Sequence, residues 1–314
     1  MKTNEQTWFS PVDVFSIRMK KIAFIINPIS GNRHAQEIKR TLPEYITRIL
    51  KQELWSPTVV QTGYAGHATE LAKHYAESGY DAVVAVGGDG TVSEVARGLR
   101  DTQTAMGILP MGSGNGLARH LGIPMDTYKA VCMLNQCEPA LMDYGIANDH
   151  LFVCTCGTGF DAMVADRFAK SARRGFMTYL KTIFHLVFTY KSQTYRLTGD
   201  GVDETHKAFL ITFANANQWG NAARIAPNAS LQDGLMDVMI MSSRALLGSL
   251  PLAVRLFAGT IDKSPMMHTI RAGELILRRE SAAPFHIDGD PVALDKDIHI
   301  RIVKGGLRVL VAKR

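Results

Sequence analysis

The chain has 314 residues and a mass of 34.5 kDa, 46% of it hydrophobic and 20% charged, which excludes a disordered or fibrous protein and predicts two domains, with one large domain as the alternative. Lys plus Arg number 35 and Asp plus Glu 29, so the net charge is +6 and the pI near 9.1, a moderate surplus that suits nucleotide, phospholipid headgroup or nucleic acid without choosing among them. Four cysteines are too few for a disulfide framework at this length, and no clean run of about 18–20 apolar residues exists to span a membrane.

Residues 1–19 lack the apolar core of a signal peptide and read as a flexible extension. Ile22 to Ile26 is a continuous apolar run, the pattern of a strand buried on both faces. Asn27-Pro28 breaks it, and a loop through Ser30-Gly31-Asn32 follows. Ile38, Leu42, Tyr45, Ile46 and Ile49 recur at helical spacing, with Pro43 as a kink site. Thr58 to Gln61 reads as a strand, and Ala68 to Tyr75 as a helix closed by Gly79. Ala82 to Val86 is a third strand and Met106 to Leu109 a fourth. Strands alternating with helices predict a doubly wound parallel sheet over residues 20–143. Cys132 and Cys137 fall in a helix-like stretch.

After about Ala140 the texture changes. Strand-like runs follow one another at Leu151 to Thr155, Ala208 to Ala214, Leu235 to Met241, Glu274 to Leu277, Ile298 to Ile302 and Leu307 to Val311. Helical stretches at Asp161 to Tyr190 and Arg244 to Phe257 interrupt them. This predicts a mostly antiparallel β domain over 144–314, whose last strand could return to the first domain. Without a Ser/Gly-rich linker, the two halves are expected to share a wide contact and a cleft. Cys154 and Cys156, like the first pair, fit no zinc spacing and read as buried thiols in a reducing compartment.

Two segments carry the chemistry. In Val83-Val84-Ala85-Val86-Gly87-Gly88-Asp89-Gly90-Thr91-Val92-Ser93-Glu94 a buried strand runs into a glycine turn and a helix. Thr91 and Glu94 have capping-box spacing. Backbone N–H groups at such a turn suit phosphate, and an acid inside it, Asp89, suggests Mg²⁺. Leu109-Pro110-Met111-Gly112-Ser113-Gly114-Asn115-Gly116 repeats the arrangement. It is neither a Walker loop nor a dinucleotide fingerprint. Later, Asp288-Gly289 is a strong two-residue hairpin signal, and a turn at a sheet end can also present carboxylates.

In this order, Asn27-Pro28-x-Ser30-Gly31 and the two glycine loops resemble the diacylglycerol kinase and sphingosine kinase family of lipid kinases. Gly157-x-Gly159-Phe160-Asp161-Ala162, Pro227-x-Ala229-x-x-x-Asp233-Gly234-x-x-Asp237-Val238 and Ile287-Asp288-Gly289-Asp290 extend the likeness from Lys20 to the C-terminus. The resemblance implies a phosphofructokinase- and NAD kinase-like nucleotide domain, a β-sandwich second domain, and an active site in the cleft between them. It implies transfer of the γ-phosphoryl group of ATP, with Mg²⁺, to a hydroxyl of a diacylglycerol-like or sphingoid lipid. By the same resemblance Asn27, Thr62, Gly87, Gly88, Asp89, Gly90, Thr91, Ser93, Gly112, Ser113 and Asn115 would contact ATP, with Asp89 also beside Mg²⁺. Asp288 is the preferred base, Asp290 its orienter or the alternative base. The carbonyls of Ser230 and Leu235 with the Asp233 carboxylate match a structural Mg²⁺ site.

Ser93 stands where the family usually has Asn, and Asp290 where it has Glu. An NAD kinase or a nucleotide-binding regulatory protein without turnover are the competing readings. His286 is expected in packing, Arg173-Arg174 at a solvated helix end. Phe176 to Tyr190 and Ala245 to Phe257 could be interfacial helices or ordinary packing. No basic stripe interleaves with aromatics, so no nucleic acid is expected. The partner would be a lipid at the inner membrane face, met by a cytoplasmic, peripheral protein. A homodimer is left open.

Overall fold

The structure, a computed structural model, describes residues 19–31, 33–170, 186, 189–242 and 249–313. The N-terminal extension up to Arg18, Arg173-Arg174, most of the Phe176 to Tyr190 segment and the start of the Ala245 to Phe257 segment lie outside them.

Four parallel strands build the first half: β1 (Lys20–Ile26), β2 (Trp55–Gln61), β3 (Ala82–Gly87) and β4 (Ala105–Pro110), in the order β2-β1-β3-β4. Ile22 to Ile26 and Ala82 to Val86 are solvent-free because helices cover both faces of the sheet. Helix α1 (Arg33–Ile49) runs through Pro43, with Leu42 and Ile46 buried on either side. It meets α5 (Thr127–Leu134), while α2 (His67–Glu77) lies against α3 (Asp89–Leu99). The short α4 (Gly116–His120) follows the second glycine loop. The capping-box expectation is corrected: α3 begins at Asp89 with Gly88 as its N-cap, and Glu94 instead accepts the Gly66 and Ala68 N–H groups at the start of α2.

The second half is antiparallel. It comprises β5 (Cys137–Ala147), β6 (His150–Phe152), β7 (Thr155–Gly159), β8 (Gln193–Gly199), β9 (Val202–Ala214), β10 (Met236–Ser242), β11 (Met267–Ala272), β12 (Glu274–Arg279), β13 (Pro284–Ile287), β14 (Asp290–Ala293) and β15 (Asp297–Ala312). Helix α6 (Phe160–Ala169) follows β7, and α7 (Ser249–Ala258) follows β10. Cys137 therefore opens a strand, not a helix. The four cysteines are free thiols. The runs near Ile300 and Val309 are one strand, shifted in register between Val303 and Leu307.

That strand, β15, joins the halves. It pairs antiparallel with β12 and β5, and its end runs parallel to β4, with Val309 opposite Met106. Leu310 rests on Gly107 beside Val84 and Leu134, inside the first core. Among the described residues, no helix is long and apolar enough to cross a membrane. Leu310→Ala should therefore cost about 2–5 kcal/mol, the range of a buried Leu truncation. Urea denaturation would report it. A change below about 0.5 kcal/mol, the range of surface substitutions, would take Leu310 out of the core.

Candidate active site

The two glycine loops touch backbone to backbone. A Cβ on Gly112 would lie 2.5 Å from the Gly88 Cα, so Gly112 tolerates no side chain at this separation, and one on Gly88 would be tight at 3.2 Å from the Gly112 Cα. The Met111 N–H donates to the Gly87 carbonyl at 2.8 Å. Asp89 clips the pair together: Oδ2 accepts the Asn115 N–H at 2.8 Å and Oδ1 the Gly116 N–H at 2.7 Å. Burial raises the Asp89 pKa, while these amides and Arg119 oppose the rise. Asn115 holds a left-handed φ of 52°, and its side chain spans the Gly112 N–H and carbonyl. The Asp89 carboxylate thus reaches across to the second loop, while the residue itself stays half-buried.

Asn27, at the end of β1, donates from Nδ2 to Thr91 Oγ1 at 3.3 Å. Thr62 follows β2 and donates its N–H to the Ile26 carbonyl. Asn27, Thr62, the Gly87-Gly88-Asp89-Gly90-Thr91 loop and Gly112, Ser113 and Asn115 thus gather at the carboxyl ends of four adjacent strands, where open α/β sheets bind ligands. Gly90 and Ser113 are exposed, while Thr91 and Asn115 lie buried beneath.

The second half contributes the β13–β14 hairpin. Ile287 pairs with Asp290 across the two-residue turn Asp288-Gly289, and both turn residues have positive φ. Asp288 Oδ1 accepts the Cys154 and Thr155 N–H groups at 2.8 and 3.1 Å. Its Oδ2 accepts the Val153 N–H and the Ser93 hydroxyl, both at 3.0 Å. These bonds account for the break between β6 and β7, where three successive N–H groups turn to one carboxylate. Burial nevertheless holds the Asp288 pKa above its usual range. Ser93 is buried and bonded to Asp288. Asp290 is exposed, and its carboxylate lies 4.0 Å from where a Cβ on Gly90 would stand. His286 is buried, with Nε2 3.1 Å from Asp161 and Nδ1 facing the Gly289 N–H at 3.4 Å. The Cys154 and Cys156 thiols are pushed up, chiefly by burial and then by nearby carboxylates.

The profile of the diacylglycerol kinase catalytic domain matches residues 21–146, and that of the YegS C-terminal NAD kinase beta sandwich-like domain matches residues 154–311. The diacylglycerol kinase of Mycobacterium tuberculosis H37Rv is 31% identical over 261 residues, 80% of this chain and 83% of that protein. This chain belongs to the bacterial diacylglycerol kinase and YegS-like lipid kinase family. A probable lipid kinase YegS-like from Pseudomonas putida is 32% identical over 218 residues, 66% of this chain and 74% of the relative. The crystal structure of a putative diacylglycerol kinase from Bacillus anthracis, 21% identical, superposes with a TM-score of 0.77 over 94% of this chain and 98% of that one, which supports the fold.

Ser230, Asp233 and Leu235, the residues that match the family's structural Mg²⁺ site, lie on the segment before β10. Asp233 Oδ1 accepts the Leu235 N–H, Oδ2 is ion-paired with Arg271, and Arg271 also binds Asp237 at 3.0 Å. A guanidinium already answers the charge of Asp233. Ser230 turns its hydroxyl to the Gln232 N–H.

Two basic residues of the site escaped the sequence reading. Arg119 Nε donates to the Gly114 carbonyl at 3.1 Å and props the second loop. Lys39, on α1, donates from Nζ to the Asn27 carbonyl at 2.7 Å and to the Ser30 carbonyl and hydroxyl at 2.5 and 2.6 Å. A polar residue between Ile38 and Leu42 is the only sequence signal, and it does not say which way the ammonium points. Burial lowers the Lys39 pKa from 10.5 to about 8. Between these values the unfolded chain keeps a proton that the folded one has lost, so Lys39 makes stability rise with pH across that window. In Lys39→Met this contribution should vanish, so wild type should gain on the variant from pH 8 to 10.5. Parallel stability curves over that range would contradict it.

Proposed function

We propose that this chain is an ATP- and Mg²⁺-dependent lipid kinase that phosphorylates a hydroxyl of a diacylglycerol-like or sphingoid lipid, with Asp290 as the base. The observation that carries the reading is the exposed Asp290 carboxylate over Gly90, a group from the β half set against the glycine loop of the α/β half. Phosphoryl transfer asks the protein mainly for positioning and neutralisation of charge. Backbone N–H groups of the Gly87-Gly88-Asp89-Gly90 and Gly112-Ser113 loops would meet the phosphates of MgATP, with Asn27 and Thr62 alongside. Mg²⁺ supplies charge neutralisation on the phosphates when it arrives with ATP. The acceptor hydroxyl oxygen attacks the γ-phosphorus and the bond to the bridging β–γ oxygen breaks. The hydroxyl proton passes to Asp290, and ADP leaves.

Asp288 suits this step less well. Its two oxygens already accept four hydrogen bonds, and taking a proton would break at least one of them. We assign it to holding the hairpin, with His286 and Asp161 behind it. Asp290 is one methylene shorter than the family's usual Glu, and its carboxylate still lies at the loop tip.

Labelled ATP with a panel of diacylglycerols, sphingoid bases and NAD tests the proposal. Label in a lipid is the expected result, and label in NAD alone would make it an NAD kinase-like enzyme. Asp290→Asn should lower kcat by about 10²–10⁴, the usual span for a general base, with ATP affinity kept. Full activity in Asp290→Asn would return the base to Asp288.

The same proposal places the chain at the cytoplasmic membrane face as a peripheral protein, in keeping with its net charge of +6. Sedimentation with vesicles should show binding that rises with anionic lipid and falls with salt. Binding indifferent to both would leave the charge to solubility.

A further inference from the structure

Outside the candidate active site, two imidazoles and a carboxylate converge on the β half. Glu204 and His206 are two apart on β9 and so share a face. His268 comes from β11. Strand β10 lies between β9 and β11, and its last pairing residue, Ser242, stands opposite Ala208 after a bulge. Glu204 and His206 therefore lie past the last residue of β10, and among the described residues no strand is paired between them and β11 there.

The donor atoms meet closely. His206 Nε2 is 2.7 Å and His268 Nε2 3.1 Å from the same oxygen, Glu204 Oε2. The two rings lie 5.2 Å apart, tilted by 32°. One potential ligand atom from each of the three residues fits within 4.8 Å of the others. Two nitrogens and one oxygen are the ligand types of Zn²⁺ and its neighbours, whereas Mg²⁺ prefers oxygen alone. Zn–N bonds of about 2.0–2.1 Å place tetrahedral ligand atoms about 3.3 Å apart, close to the 2.7 and 3.1 Å that separate the two nitrogens from Glu204 Oε2. His268 is exposed and Glu204 and His206 half-buried, so a fourth position opens to water.

We propose that Glu204, His206 and His268 form a Zn²⁺-class transition-metal site that ties β9 to β11 past the end of β10. Neutral imidazoles bind through Nε2 by moving their proton to Nδ1, so the site needs no other reactant. It is independent of the Mg²⁺ that accompanies ATP.

The test uses the full-length, untagged chain freed of metal by a chelator. Zn²⁺ is titrated in competition with a chromophoric chelator, and Co²⁺ is followed by its visible d–d bands. One tightly held equivalent per chain is expected, unaffected by excess Mg²⁺ and lost in His206→Ala and in His268→Ala. Glu204→Gln should weaken it. Where Ala disturbs the strand, His206→Gln keeps a hydrogen-bonding side chain and should lose the equivalent too. His150→Ala, on β6, should leave it in place. No stoichiometric Zn²⁺ in the wild type, an equivalent retained in either histidine variant, or unchanged affinity in Glu204→Gln would overturn the site.

Discussion

The architecture of the candidate site depends on one close approach, the backbone of Gly88 against that of Gly112. At that distance the two loops present N–H groups as one surface, and a Cβ on Gly112 would force them apart. The Met111 N–H to Gly87 carbonyl bond joins them at the strand ends, and the loops beyond need a further tie. Asp89 supplies it by accepting two amides of the opposing loop. Burying a carboxylate is costly, several kcal/mol if unpaired. Charge-assisted bonds of about 1.5–3 kcal/mol each offset that, and the amides they occupy are the ones α4 would otherwise leave unpaired. The acid in the glycine loop is thereby explained by the fold before any ligand is considered.

A second acid repeats the solution between the halves. Asp288 gathers three amides of the β6–β7 break and the hydroxyl of Ser93 on α3. The hairpin turn of the β domain is thus pinned to the helix that carries the glycine loop. Ser93 in place of the family's Asn takes on a different meaning here. A short hydroxyl inside the protein suits a partner that comes to it, and Asp288 does. Asp290, two residues on and across the turn, is left at the surface where the loops open.

Much of this was legible in the chain itself. The runs at Ile22 and Val83 read as doubly buried strands because both faces of the sheet are covered. The glycine loops and the Asp-Gly turn read directly, because few residues permit those backbones. Other features were hidden for physical reasons. Glu94 has capping-box spacing from Thr91, yet it caps a neighbouring helix, because α3 starts at Asp89 and the Gly66 amide is within reach. Strand β8 alternates polar and buried residues over Gln193–Gly199 and lacks an apolar run. The roles of Lys39, Ser93 and Asp288 depend on contacts 9 to 195 residues apart, which local pattern does not encode. Arg271 likewise meets Asp233 across 38 residues, a pairing that no local motif announces.

The last strand has a mechanical consequence. β15 is bonded to β12 and β5 near its start and to β5 and β4 near its end, so both halves are attached to one continuous rod. A hinge needs a few residues free to change their dihedral angles, and in β15 these lie at Lys304, Gly305 and Gly306, between the two paired stretches, where the register shifts and Gly305 takes a positive φ. The paired stretches on either side have no such freedom, so a swing of one half against the other would turn about that glycine pair.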